Sequence, residues 1–264
     1  MVINPIQELI DRTTPGFTAR PPPGDYVIDG QDNPIRCKTG VTLDLTDAVL
    51  RQAPGYGNLS NIIATAGAND LAILGGNLIG ERKADGISGE RGFGIRIDLG
   101  SRNIVVRKTM INNCWMDGVL IKDAYNVELD RIVSDCNRRQ AVSALDVNGL
   151  HIHHSQLSNS GGTPPGDGID LECDRPDQKM MNVLIEKNLI FGNKGSNIAV
   201  NMSPGMYGNI RIMSDNQYDL KTQPIWIGSP GVLGTPWWAF LLNRSLGWTP
   251  GYRYWGYPTS WYKA

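Results

Sequence analysis

Short runs of alternating apolar and polar residues fill the middle of this chain. A small polar residue opens each run, two or three apolar positions alternate with polar ones, and an asparagine-rich turn follows. The unit occupies residues 69–74, 102–106, 125–129, 148–152, 181–185 and 208–212. Aligned on Asp70, Asn103, Asn126, Gly149, Asn182 and Asn209, the runs lie 33, 23, 23, 33 and 27 residues apart. Each interval holds a second run of the same kind, at 94–98, 118–122, 141–145, 168–172 and 197–201. Alternation of period two over four or five residues is strand-like, and a fixed repeat of this length marks a stacked architecture. The exception is Pro5–Arg12, whose spacing predicts a short amphipathic helix.

Strands this short, two or three to a turn at about 23 residues per turn, describe a β-solenoid, with inward Ile, Val and Leu stacked roughly 4.8 Å apart along the axis. Asn112-Asn113, Asn137, Asn159 and Asn193 recur at one turn, which suggests a side-chain ladder and left-handed backbone. An antiparallel sandwich would need hairpin dipeptides, and Asn148-Gly149 is the only Asn-Gly between strands. We expect three parts: a cap over residues 1–39 closing the N-terminal end, a solenoid over 40–225, and an aromatic-rich C-terminal cap or assembly segment over 226–264. Six of the seven tryptophans lie in that last segment, with Tyr252, Tyr254, Tyr257 and Tyr262 among them.

Composition sharpens this picture without redirecting it. The 31 glycines and 16 prolines in 264 residues imply many turns. A net charge of −1 gives no reason to expect a nucleic-acid partner or a membrane surface, and no apolar run approaches membrane-spanning length. The N-terminus lacks the basic start and apolar run of a signal peptide. None of Cys37, Cys114, Cys136 and Cys173 forms a Cys-x-x-Cys pair, so free thiols are expected, with Cys114 and Cys136 stacked about one repeat apart.

Two stretches carry a resemblance. Pro21-Pro22-Pro23-Gly24-Asp25-Tyr26-Val27-Ile28, followed by Gly40-Val41-Thr42-Leu43-Asp44-Leu45, resembles the opening of pectate-lyase-like β-helix proteins, many phage tailspikes among them. Asn137-Arg138-Arg139-Gln140, leading through residues 159–166 to Asp167-Gly168-Ile169-Asp170-Leu171-Glu172, resembles a segment of bacterial and phage proteins of the right-handed β-helix repeat class. The resemblance covers roughly residues 20–215 and implies an all-β, right-handed parallel β-helix. It also implies a polysaccharide substrate, a homotrimer and an extracellular or virion-associated setting. That superfamily holds hydrolases, lyases, epimerases and proteins without activity. The Asn-Thr-Asp, Gly-His-Gly and Arg-Ile-Lys set of polygalacturonase-like hydrolases is missing here, as is the Asp-Pro-His of the alginate epimerases.

Stacking successive coils gives a map of the outer wall. Ile95, Val119, Val142, Ile169 and Ile198 share an inward column. The next position faces out and reads Arg96, Leu120, Ser143, Asp170, Ala199; two residues on, the column reads Asp98, Lys122, Leu145, Glu172, Asn201. Asp117, Gln140, Asp167 and Ser196 sit at the turn leading into the strand. Asp170 and Glu172 thus project from one face with Cα atoms roughly 6.5–7 Å apart. Paired carboxylates suit acid and base roles at a glycosidic bond, where separations of roughly 6.5–9.5 Å admit an attacking water and roughly 5–5.5 Å favour a covalent intermediate. The candidate catalytic residues are therefore Asp170, Glu172 and Asp167. Arg138, Arg139, Gln140, Arg96, Lys122 and Asp174 are candidates for binding substrate, the arginines through bidentate contacts to an anionic sugar. No resident cofactor is expected for a hydrolase, whereas a lyase-like site would use Asp167, Asp170 and Glu172 to hold Ca²⁺. His151 and His153 face outward, but no third ligand at zinc spacing accompanies them. The expected function is cleavage of a bacterial or acidic glycan by a hydrolase or lyase, with a tail-associated depolymerase as the setting the resemblance implies; the alternative is a non-catalytic structural or glycan-binding module of a virion or cell surface.

Overall fold

Isoleucine and valine recur at one register position in every coil, and the hydrogen-bonded ladders set them on top of one another. Ile35, Ile63, Ile95, Val119, Val142, Ile169, Ile198 and Ile225 form one unbroken column of Cα partners. The computed structural model describes residues 4–29, 32–82, 91–202, 204–219, 222 and 225–228. Among them every paired strand runs parallel to its partner, in one sheet of fourteen strands and a second of eight. The fourteen-stranded sheet bends into two walls and the eight-stranded sheet supplies the third. The all-β parallel solenoid expected from the repeat is therefore what the chain forms, in about seven turns.

The first wall carries the Ile and Val column just described. The second carries two inward columns, one through Leu71, Ile104, Val127 and Leu150 and the other through Ile73, Val106, Leu129 and Ile152. The third stacks Leu50, Leu78, Ile111, Ser134, Leu157 and Ile190. These inward side chains meet in one buried core that runs along the axis. In the twelve-residue strands Val119–Asp130 and Val142–His153 the first wall passes into the second without a break. The bend falls at Asp123 (φ 49°) and Asp146 (φ 56°), residue types that tolerate the left-handed region.

The alignment residues of the repeat are left-handed as well. Asp70, Asn103, Asn126, Asn182 and Asn209 have φ between 51° and 57°. Their side chains form rungs between coils: Asn103 Nδ2 donates to Asp70 Oδ1 at 2.6 Å, Asn126 Nδ2 to Asn103 Oδ1 at 3.1 Å, and Asn209 Nδ2 to Asn182 Oδ1 at 2.7 Å. Gly149 takes the equivalent place because a Cβ there would lie 2.6 Å from Asn126 Oδ1.

Pro5–Arg12 is the helix its pattern predicts. Asn4 caps it, its Oδ1 accepting from Ile6 N at 3.0 Å, and proline occupies the first turn, where its missing N–H costs nothing. Ile6 and Ile10, one turn apart, are buried and join the core at its open end. The rest of the segment expected as a cap already stacks on the next coil, through Thr18–Ala19, Gly24–Ile28 and Ile35–Arg36. Ile225–Gly228, with Trp226, pairs with Ile198–Asn201. The remainder of the aromatic-rich segment lies outside the described residues. Among those described, no helix is long and apolar enough to cross a membrane.

All four cysteines are free. Cys114 and Cys136 do not stack as expected: they are 22 residues apart in a 23-residue coil, so Cys114 meets Asn137, whose Oδ1 accepts from Cys114 N at 3.0 Å.

Candidate active site

Among the described residues, the strand Ile169–Glu172 lies in the one coil with an enlarged loop at both of its ends. Ten residues, 159–168, precede it where the coil before uses six, and six more, 173–178, follow it before Lys179–Glu186. Together they account for the ten residues by which this interval exceeds the 23-residue coil. Both outward columns of the first wall run in the register read from the sequence: Arg96, Leu120, Ser143, Asp170, Ala199 in one, and Lys122, Leu145, Glu172, Asn201 in the other.

Burial sets this wall apart from an ordinary solvated face. Asp170 is 4% exposed, Asp167 1%, and Asp117, Gln140 and Ser143 0%. Glu172 is half-buried and is the member of the group that reaches the surface. Phe93, Trp115, Met116, Leu120 and Leu145 form a second buried apolar cluster outside the main core, so the same wall is lined with hydrocarbon on the side of the earlier coils.

The turn residues place the polar groups. Asp117 and Asp167 occupy equivalent turns, and each accepts a backbone N–H from the next coil: Gln140 N at 3.1 Å for Asp117 Oδ1, Ser196 N at 2.5 Å for Asp167 Oδ1. Asp117 Oδ1 also accepts from Arg139 Nε at 3.1 Å. Arg139 Nε reaches Gln140 Oε1 at 2.9 Å, and Gln140 Nε2 donates to Asp170 Oδ2. Asn201 Nδ2 approaches Glu172 Oε2 at 3.4 Å. A connected relay thus runs Asp117–Arg139–Gln140–Asp170. Among the described residues, Asp117 Oδ2, Asp167 Oδ2 and Ser143 Oγ are buried and accept or donate no hydrogen bond.

Four carboxyl groups share this region with one guanidinium, and charge balance fixes their protonation. Burial, opposed by Arg139, pushes Asp117 up. Burial raises Asp167 to about 7, with Glu172 adding to the rise. Asp170 is driven well above the ordinary carboxylate range by burial and by the neighbouring Glu172 and Asp167. Glu172 rises too, through burial, with Arg139 as the main restraint. For Arg139, burial opposes the charge, but Asp117, Asp170 and Glu172 outweigh it and hold the guanidinium ionised. One cation cannot neutralise four desolvated carboxylates, so protons remain on some of them near neutrality.

The other residues singled out from the sequence scatter. Arg138 turns from the carboxylates toward Trp115, donating from Nη1 to Trp115 O at 3.3 Å with its guanidinium 5.1 Å from the ring centre. Arg96 sits three coils before Asp170 and pairs with Asp98 at 2.6 Å. Lys122 reaches Asp174 Oδ2 at 3.9 Å across the wall, with Leu145 between it and Glu172 in the column. Asp117, which anchors Arg139, was not among the candidates; the signal for it was its turn position, shared with Gln140 and Asp167. The carboxylates also bear on the lyase-like Ca²⁺ site. Among the described residues, the one group of three side chains whose ligand atoms come within 4.8 Å of one another is Asp130, His153 and His154. Asp167, Asp170 and Glu172 do not converge in that way.

Solved structures of the same architecture exist. The chain is similar to the A-module of mannuronan C-5 epimerase AlgE6 from Azotobacter vinelandii, with a TM-score of 0.50 and 14% identity over 85% of this chain and 70% of that one. The fold they share is a parallel β-helix. Pectate lyase Pel9A (TM-score 0.47, 11% identity, 86% of this chain, 72% of that one) and ORF18 of Geobacillus virus E2 (0.46, 11%, 85%, 56%) are further similar structures. At these identities the likeness is one of fold. No protein-family model and no curated protein matches the chain.

Proposed function

We propose that this β-helix acts on the glycosidic linkages of an acidic or bacterial polysaccharide, with Asp170 and Glu172 of the first wall as its acid–base pair. The observation that carries the proposal is the buried four-carboxyl cluster around a single arginine. Asp170, driven well above the ordinary carboxylate range by burial and by Glu172 and Asp167, keeps a proton near neutrality and serves as the general acid. Glu172 reaches the surface, and Arg139 opposes the rise that burial gives its carboxyl, so it acts as base or nucleophile. Asp167 shares charge with both and tunes them. Arg139, ionised within the cluster, offers the positive field that a carboxylate-bearing sugar would meet. The polysaccharide-modifying enzymes that share the fold support the substrate class. An extracellular or virion-associated setting, and assembly as a trimer, belong to the same proposal.

One observation favours a second reading. Asp117 and Asp167 bond the backbone of the next coil, so the cluster could serve to fix the turns of a non-catalytic glycan-binding or structural module. Incubating the protein with a panel of bacterial and uronate-containing polysaccharides separates the two, beside Asp170→Asn and Glu172→Gln. Product size reports cleavage, ultraviolet absorbance of an unsaturated uronate reports elimination, and the proton spectrum of the polymer reports epimerisation. The proposal predicts turnover by the wild type and its loss in both variants. Equal turnover by all three proteins overturns the assignment of Asp170 and Glu172, and no turnover on any glycan overturns the proposal in favour of the second reading.

A further inference from the structure

On the second wall, away from the carboxylate cluster, Asp130 and His153 are direct partners in the ladder between adjacent coils. His154 follows at the left-handed turn (φ 52°). His153 Nδ1 lies 2.8 Å from His154 Nδ1 and 3.4 Å from Asp130 Oδ1. One ligand atom from each of the three residues falls within 4.8 Å of the others. We propose that Asp130, His153 and His154 form a binding site for a divalent transition metal ion of the zinc class.

The spacing fits such an ion. With metal–nitrogen and metal–oxygen bonds of roughly 2.0–2.1 Å, tetrahedral ligand atoms stand roughly 3.3 Å apart, and the observed 2.8 and 3.4 Å bracket that edge. Two imidazoles with one carboxylate select zinc, copper or nickel over calcium and magnesium, which take oxygen. The surrounding groups prepare the ligands. Glu128 Oε1 faces His153 Nε2 at 3.4 Å, an acceptor that favours the ring proton on Nε2 and so frees the Nδ1 lone pair for an ion on the side of Asp130 and His154. His151 stacks on the His153 ring with centroids 4.0 Å apart and is itself held by Glu186 Oε1 at 3.1 Å, so the ring cannot swing away. Asp130 is also engaged: Arg107 Nε contacts its Oδ2 at 2.7 Å, and Arg131 Nη1 contacts Oδ2 at 2.6 Å and Oδ1 at 2.7 Å. A carboxylate has about four lone-pair sites, so one remains on Oδ1, the oxygen that faces His153. The acidic neighbours Glu128 and Glu186 offset the two arginines. Asp130 is buried, His153 half-buried and His154 exposed, so the fourth position, on the His154 side, is left to water or to a ligand from solution, and the ion would tie one coil to the next.

The test is calorimetric titration of the whole chain, stripped with a chelator, with zinc chloride alone, beside His154→Asn. Asparagine tolerates the left-handed turn and His154 is exposed, so the variant keeps the fold, which circular dichroism verifies. The site predicts one zinc ion per chain, an affinity at least about tenfold weaker in His154→Asn, and in the cobalt form a visible spectrum without thiolate charge-transfer bands. No binding of zinc, binding equal in the two proteins, or thiolate bands pointing to the cysteines overturns it. Asp170→Asn, on the other wall, should bind zinc as the wild type does, so failure of this site and failure of the proposed catalysis are read separately.

Discussion

Replacing Asp167 with asparagine removes one charge from the buried cluster while keeping the Oδ1 acceptor that Ser196 N uses at 2.5 Å. In the folded protein the Asp167 carboxyl titrates near 7, against 3.8 for the free group. A carboxyl whose folded value is raised binds its proton more tightly in the native state than in the unfolded one. Stability is then highest below the lower value and falls as pH climbs between the two. At about 1.4 kcal/mol per pH unit, the cost is about 1.6 kcal/mol at about pH 5 and reaches about 4 kcal/mol above about pH 7. Asparagine carries no such cost at any pH. The advantage of Asp167→Asn over wild type should therefore grow by about 2–3 kcal/mol between about pH 5 and about pH 8.5. Urea unfolding of both proteins at the two pH values, with matched m-values, measures that difference directly. An advantage that stays constant or shrinks as pH rises would refute the claim that desolvation holds this carboxyl protonated.

Further outcomes follow from the same packing. Arg139→Met leaves Asp117 without its guanidinium and should destabilise by about 3 kcal/mol near pH 8 but clearly less near pH 5, where the carboxyls take up protons; unfolding at both pH values tests this. Asn126→Ala breaks a rung of the ladder and puts alanine, which tolerates the left-handed region less well than asparagine, at φ 53°, costing about 1–2 kcal/mol, whereas Asn126→Gly should cost less. Ile121→Ala, at a fully buried position of the first wall, should cost about 2–5 kcal/mol in thermal or urea unfolding, with the spread set by how far the coil collapses.

The solenoid was legible because one period controls it. Once Asn103, Asn126 and Gly149 are aligned at 23 residues, the pairing of Val119–Lys122 with Val142–Leu145 follows directly, and the matching alternation of residues 168–172 sets Asp170 beside Ser143 across the enlarged loop. The helix at Pro5–Arg12 was legible for the equally local reason that Asn4, Pro5 and the Ile6–Ile10 spacing agree. What escaped depends on where side chains point once stacked. Arg138 and Arg139 are neighbours in sequence, yet one turns to Trp115 and the other to Asp117, a choice made by the apolar cluster next to them. The burial of Asp170 escaped as well, because it follows from the loops at 159–168 and 173–178 that bracket the strand. The histidines were judged against ligands nearby in sequence, whereas Asp130 lies one coil earlier and becomes a neighbour only through the ladder.

The central claim is that the first wall keeps a carboxylic acid, Asp170, protonated at neutral pH beside Glu172. Carbon-13 labelling of the aspartate side chains, with Asp170→Asn to assign the resonance, allows its carboxyl shift to be followed through a pH titration. The account predicts that the Asp170 signal remains that of the acid through neutrality, far above the ordinary 3.8. A signal that moves to the carboxylate position near pH 4 would contradict it, and with it the role of Asp170 as general acid.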